Sequence, residues 1–134
     1  MARREDWPER LATFLDARRE RAFAWGSHDC VTMAADWIIE ASGVDPIEDL
    51  RGQWSDEIAA VRLIASLGGL RLITERRLGA PISRALAQRG DLVLHDLTGR
   101  DGLGICIGAE FAAPGLEGGI VMASMEHALM AWRI

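Results

Sequence analysis

The sequence predicts an α+β fold, with N-terminal helices packed on a C-terminal antiparallel sheet. Helix-period apolar runs fill the first half of the chain, while short β-prone runs bounded by Gly, Asp and Pro fill the second. The two kinds of run do not alternate as βαβ units, which argues against a Rossmann-type nucleotide fold. With 134 residues, 49% of them hydrophobic, the chain suffices for one core and is too short for two comfortable domains. The expected organisation is a single domain over 1–134: an N-terminal helix in 1–22, a helical half in 23–80 and a sheet half in 81–134.

Trp7, Leu11, Phe14 and Leu15 recur at three-to-four-residue spacing, which predicts an amphipathic helix up to about Arg19. Phe23-Ala24-Trp25-Gly26-Ser27 reads as a loop pinned by its rings and turning at Gly26. From Asp29 to Ser42, Val31, Ala34, Ala35, Ile38 and Ile39 cover a broad face, so this is the expected central buried helix, ended by Gly43. Asp45-Pro46 breaks the chain. Ser55 is the expected cap of a third helix over Asp56 to Leu67, stopped by Gly68-Gly69, and a shorter helical piece spans Leu70 to Leu78. The expected strands are Asp91 to His95, Leu103 to Ile107 and Gly119 to Met122, and His127 falls in a short C-terminal helical stretch.

Several function classes drop out on composition. The net charge is −5, and the basic residues form no dense run with interleaved aromatics, so nucleic acid is not an expected partner. No apolar run approaches the roughly 20 residues of a membrane span. The charged N-terminus lacks the apolar core of a secretory signal, so the expectation is cytoplasmic synthesis. The glycines Gly102, Gly104 and Gly108 follow a loop and precede no helix, so they form no phosphate cradle and no cofactor is expected. His28, Cys30 and Cys106 lack paired metal-ligand spacing, and no metal is expected. Both cysteines are expected as free thiols. Trp25, Trp37, Trp54 and Trp132 fit either a groove for a sugar or peptide or anchors of core and loops, and Asp36 is either solvated or an arginine's partner.

Cys30 carries the chemical interest. The unpaired N–H groups at a helix start stabilise a thiolate, Asp29 is a plausible N-cap, and a reacting carbonyl there would find an oxyanion donor among the same N–H groups. The same pattern also fits a cysteine that is simply a small buried hydrophobe. The wider pattern adds Trp25-Gly26-Ser27-His28-Asp29-Cys30, then Arg89-Gly90-Asp91-Leu92-Val93-Leu94, then Gly102-Leu103-Gly104-Ile105-Cys106-Ile107-Gly108. From Phe23 to the C-terminus this resembles the NlpC-like, papain-like cell-wall cysteine peptidases. The Trp-Gly-x-x-Asp-Cys opening, Ala34 to Trp37, Gly43-Val44-Asp45-Pro46, Arg51-Gly52 and Ala131-Trp132-Arg133-Ile134 look closer still to short phage and prophage proteins encoded among tail genes.

The resemblance implies a papain-like NlpC-type fold with Cys30 at the nucleophile position. It also puts the family's catalytic histidine on Gly102 and its orienting polar residue on Ala112, Ala113 or Pro114, none of which serves an imidazole. Two other histidines are candidate bases. His95 falls opposite Gly102 if the two strands form a hairpin, and His28 lies two residues from Cys30. The plainer alternatives are an exposed strand-end residue for His95 and a helix-capping or solvent-facing residue for His28. The function expected is a tail-associated structural or assembly protein with degenerate catalysis, partnered by phage tail or tail-hub proteins and located in the virion. The alternative is an active peptidoglycan amidase or endopeptidase acting on stem peptides, with Cys30 as nucleophile and His95 or His28 as base; a third is a host-modifying factor that binds a peptide in the cleft.

Overall fold

A computed structural model describes residues 2–134. Four helices precede five strands: α1 Trp7–Arg18, α2 Cys30–Ser42, α3 Glu57–Ser66, α4 Leu70–Leu78, β1 Leu92–His95, β2 Gly102–Cys106, β3 Glu110–Pro114, β4 Ile120–Ser124 and β5 Ala128–Trp132. The strands form one antiparallel sheet in the order β4-β3-β2-β1-β5. The α+β class follows directly, with the helices packed against the sheet.

Helix α2 forms where its pattern predicts because both ends are written into the sequence. Asp29 and Thr32 close a reciprocal capping box, and Gly43 takes the left-handed conformation at φ 80° that ends the helix. Its apolar residues Ala34, Trp37 and Ile38 join Leu11 and Phe14 of α1 against Leu92, Leu94, Leu103 and Ile105 of the sheet. The Trp37 indole N–H donates to the Gly90 carbonyl at 2.8 Å, so its one polar atom is satisfied in the core. A second cluster of Ala35, Ile47, Leu50, Trp54 and Ala60 joins the other side of α2 to α3.

The sheet is covered on both faces. Opposite the helices, Val93, Cys106, Phe111, Ala113 and Ala128 form a third cluster, with Ala87, Leu97 and Met125 laid over it. That is why β1 and β2 read as unbroken apolar runs and are buried at every position.

Two expectations need correction. The cap of α3 is Asp56, whose side chain accepts from the Ala59 N–H, and Ser55 lies outside the helix. His127 closes a 3-10 turn over Met125–His127, the short helical stretch expected there, and the chain then runs into β5. Strands β3 and β5 were not among the three expected runs. Asp36 pairs with both Arg18 and Arg51, at 2.7 and 2.8 Å, which settles it as an arginine partner. Trp37, Trp54 and Trp132 are buried core residues, whereas Trp25 stays partly exposed.

Candidate functional site

The Trp25-to-Cys30 motif folds into a cap centred on one carboxylate. Asp29 is 2% exposed and accepts from four donors: the Thr32 N–H at 2.8 Å, the Thr32 hydroxyl at 3.0 Å, the Gly26 N–H at 2.8 Å and the Trp54 indole at 2.8 Å. Gly26 is required in the turn because its φ is +85°, and a Cβ there would run into the Trp54 carbonyl oxygen. Ala24 and His28 bridge across the turn and close it. The segment that resembles a nucleophile motif is therefore also a hydrogen-bonded hinge between α2 and the loop before α3.

Cys30 is the first residue of α2, next to that carboxylate. Its surroundings are Trp25, Ala60, Ile64 and Leu70, with Arg100 and Asp101 of the β1–β2 loop at the rim. Arg100 lies 5.9 Å from the Trp25 ring and pairs with Glu57 of α3 at 3.1 Å. Burial in these apolar surroundings pushes the Cys30 thiol up to about 11; the Leu103 N–H and the Arg100 charge pull the other way, while Asp29 adds to the rise. The helix start does not outweigh desolvation. At neutral pH the sulfur holds its proton.

The Leu103 contact has a backbone cause. Strands β2 and β3 pair only through Ile105 with Ala112 and Cys106 with Phe111. Beyond Ile105 the two strands part, and the Leu103 backbone is left free to act on the Cys30 thiol, lowering its pKa.

His95 lies directly opposite Gly102, the register the hairpin reading required. Its ring occupies the space of the missing side chain: a Cβ on Gly102 would sit 2.7 Å from His95 Cε1 and 2.9 Å from Nε2. The ring stacks on Phe111 with centroids 4.6 Å apart, and Phe111 in turn covers Gly104. Nδ1 accepts from the Leu97 N–H at 3.2 Å, which leaves the proton on Nε2, and Nε2 is buried without a partner. Burial pushes the His95 pKa below its usual value, opposed by the Leu103 backbone and by Asp96 and Asp101.

The structure does not join the candidate bases to the thiol. Among the described residues no hydrogen bond links Cys30 to His95 or His28. His95 shares its face of the sheet with Phe111 of the third cluster, whereas Cys30 packs against the helix-side core. His28 is buried with both ring nitrogens unpartnered, and its pKa is pushed down by burial and then by Arg18 and Arg21. No group of three His, Cys, Asp or Glu side chains among the described residues is placed to hold a metal ion.

Sequence reasoning missed Arg100 and Asp101 at the rim and the influence of the Leu103 backbone on the thiol. The first two are ordinary loop residues beside Gly102, and a backbone group leaves no trace in residue type.

Fold and site together define an α+β domain whose central helix opens on a cysteine held against the middle strand of an antiparallel sheet. The chain belongs to the family described as Domain of unknown function (DUF6950), whose profile matches residues 2–134. No curated protein matches it. No helix is long and apolar enough to cross a membrane among the described residues.

Proposed function

We propose that this chain is an NlpC-like domain serving as a structural or assembly component of a phage or prophage tail, with the peptidase chemistry of its cysteine position lost. The observation that supports loss of catalysis is geometric: among the described residues no imidazole is hydrogen-bonded to the Cys30 sulfur, the buried ring nitrogens of His28 and Nε2 of His95 being without partners, and the apolar surroundings push the thiol up instead of down. Gly102 at the family's histidine position removes the ordinary base. The tail assignment rests on the sequence pattern from Trp25 to Ile134, and its partners would be tail or tail-hub proteins in the assembled particle.

A second reading keeps one specific observation in its favour. The His95 ring fills the space that a side chain at position 102 would occupy. In an active peptidoglycan amidase or endopeptidase, this imidazole would have to come round from the opposite face of the sheet to take the Cys30 proton as the sulfur attacks a stem-peptide carbonyl, then return it to the leaving amine, with water hydrolysing the resulting thioester.

Two measurements separate the readings. Purified protein incubated with peptidoglycan fragments is expected to release no peptide products, and release that disappears in both Cys30→Ser and His95→Ala would establish the hydrolase instead. The protein is expected to co-purify with virions or with a tail-hub protein. Its absence from both would remove the tail assignment.

A further inference from the structure

The two edges of the sheet are finished differently. Along β5, Ile82 and Ala131 exchange backbone hydrogen bonds at 2.7 and 3.0 Å, and Arg84 donates to the Glu126 and Ala128 carbonyls at 2.6 and 3.1 Å. That edge is covered.

Strand β4 has no such cover. Its register with β3 is flanked by the rungs Gly115 N–H to Gly119 and Met125 N–H to Ala109, which fixes Val121 and Ala123 as the inward-bonding residues. Ile120, Met122 and Ser124 therefore turn their N–H and C=O groups outward, and among the described residues none of these groups has a hydrogen-bond partner. Exposed edges are ordinarily guarded by charge, proline or a bulge. Here there is no charged residue or proline from Gly118 to Met125, and the pairing with β3 runs without a register shift. Val121 and Met122 are 41% and 46% exposed, and Leu116 in the adjoining turn is 65% exposed.

We infer that β4 is a self-association edge, pairing antiparallel with β4 of a second copy about a two-fold axis at Met122. The sequence fits its own symmetry mate. With Met122 opposite Met122, the outward-bonding Ile120 faces Ser124, and both contribute to a ladder of about six new hydrogen bonds. Val121 then faces Ala123, so the exposed valine gains an apolar neighbour across the seam. No like charges meet: Glu117 of the turn falls opposite His127, and Gly118 opposite Glu126. The product is one continuous antiparallel sheet through both copies. A single short strand pair buries less than the roughly 1,200 Å² of a stable interface, which places the dissociation constant on the order of micromolar or weaker.

Sedimentation equilibrium over a range of about 1–300 μM, chosen to bracket that constant, tests this. The expected result is a reversible shift from the 14.7 kDa chain to a species of twice that mass. Met122→Pro removes one outward N–H and leaves the β3 ladder untouched, since edge proline is tolerated on the solvent side, and it should abolish the shift. Val121→Lys supplies a second variant in case the proline perturbs folding, and it should weaken association at least tenfold; circular dichroism checks that each remains folded. A wild-type chain that stays at 14.7 kDa throughout overturns the inference, including where β4 pairs instead with a strand of another protein. So does a dimer equally strong in both variants.

Discussion

At the scale of single residues, the thiol of Cys30 and the ring of His95 are governed by what surrounds them more than by their positions in a motif. A helix start lowers a cysteine's pKa when the sulfur remains solvated, but apolar walls and the neighbouring Asp29 reverse the sign at Cys30. Alkylation by iodoacetamide in a Cys106→Ser background should therefore be slower than that of a free thiol at pH 7.5. Its rate should climb towards a midpoint near 11, and a midpoint at or below 8 would mean an activated nucleophile. His95 owes its place to two glycines: with no side chain at Gly102 or Gly104, the His95 and Phe111 rings lie flat on β2. Gly102→Ala should cost about 1–3 kcal/mol by overpacking against the ring. In a His95→Ala background that cost should largely vanish, so denaturant melts of the double-mutant cycle should give a coupling above about 1 kcal/mol; additive effects would mean that ring and glycine do not compete for space.

At the scale of elements, the two aspartate caps show how unequal identical chemistry becomes with burial. Asp56 makes one exposed cap bond to α3, so Asp56→Ala should cost about 1 kcal/mol. Asp29→Ala should cost about 3 kcal/mol or more, because it strands the Gly26 N–H and the Trp54 indole as well as the α2 cap. Urea denaturation of the two variants side by side checks the order, and equal losses would show that Asp29 serves only as a cap. Elements with such local signals were legible from the sequence: α2 from its cap and Gly43, α4 between its glycines, and the β1–β2 hairpin with His95 opposite Gly102. Strand β5 was not, because Ala-Leu-Met-Ala-Trp is rich in helix formers and becomes a strand only through its partners β1 and Ile82. β3 is masked by Ala112-Ala113-Pro114, small residues without a strand preference. At the site, the position of Cys30 was legible and its protonation was not, since burial depends on α3 and on the β1–β2 loop far along the chain.

At the scale of the whole molecule, the buried ionisable groups set a window of pH in which the fold is most stable. His28 and His95 both have pKa values pushed below the ordinary 6.5 by burial, so the fold holds them neutral where the unfolded chain takes up protons. The unfolded state then binds more protons, and stability falls as pH drops through about 6.5 towards the folded values. The groups facing them do not cancel this: Arg18 and Arg21 oppose a charge on His28 more than Asp29 supports one, and Asp96 and Asp101 offset only part of the burial of His95. The cysteines act with opposite sign. Cys30 and Cys106 are raised above the ordinary 9.0, so the fold retains protons that the unfolded chain releases, and stability falls as pH rises through about 9. Asp6 and Asp49, lowered from 3.8 by Arg10 and Arg77, contribute only at more acidic pH. The melting temperature should thus form a plateau between about pH 6.5 and 9, and each kcal/mol lost on either side should lower it by roughly 3–5 °C in a domain of this size. Calorimetry from pH 5.5 to 10.5 measures the profile. His28→Gln with His95→Gln should flatten the acid limb and leave the alkaline one, while Cys30→Ala with Cys106→Ala should do the reverse. A wild-type profile flat from pH 5.5 to 7 would mean that neither imidazole is held neutral by the fold.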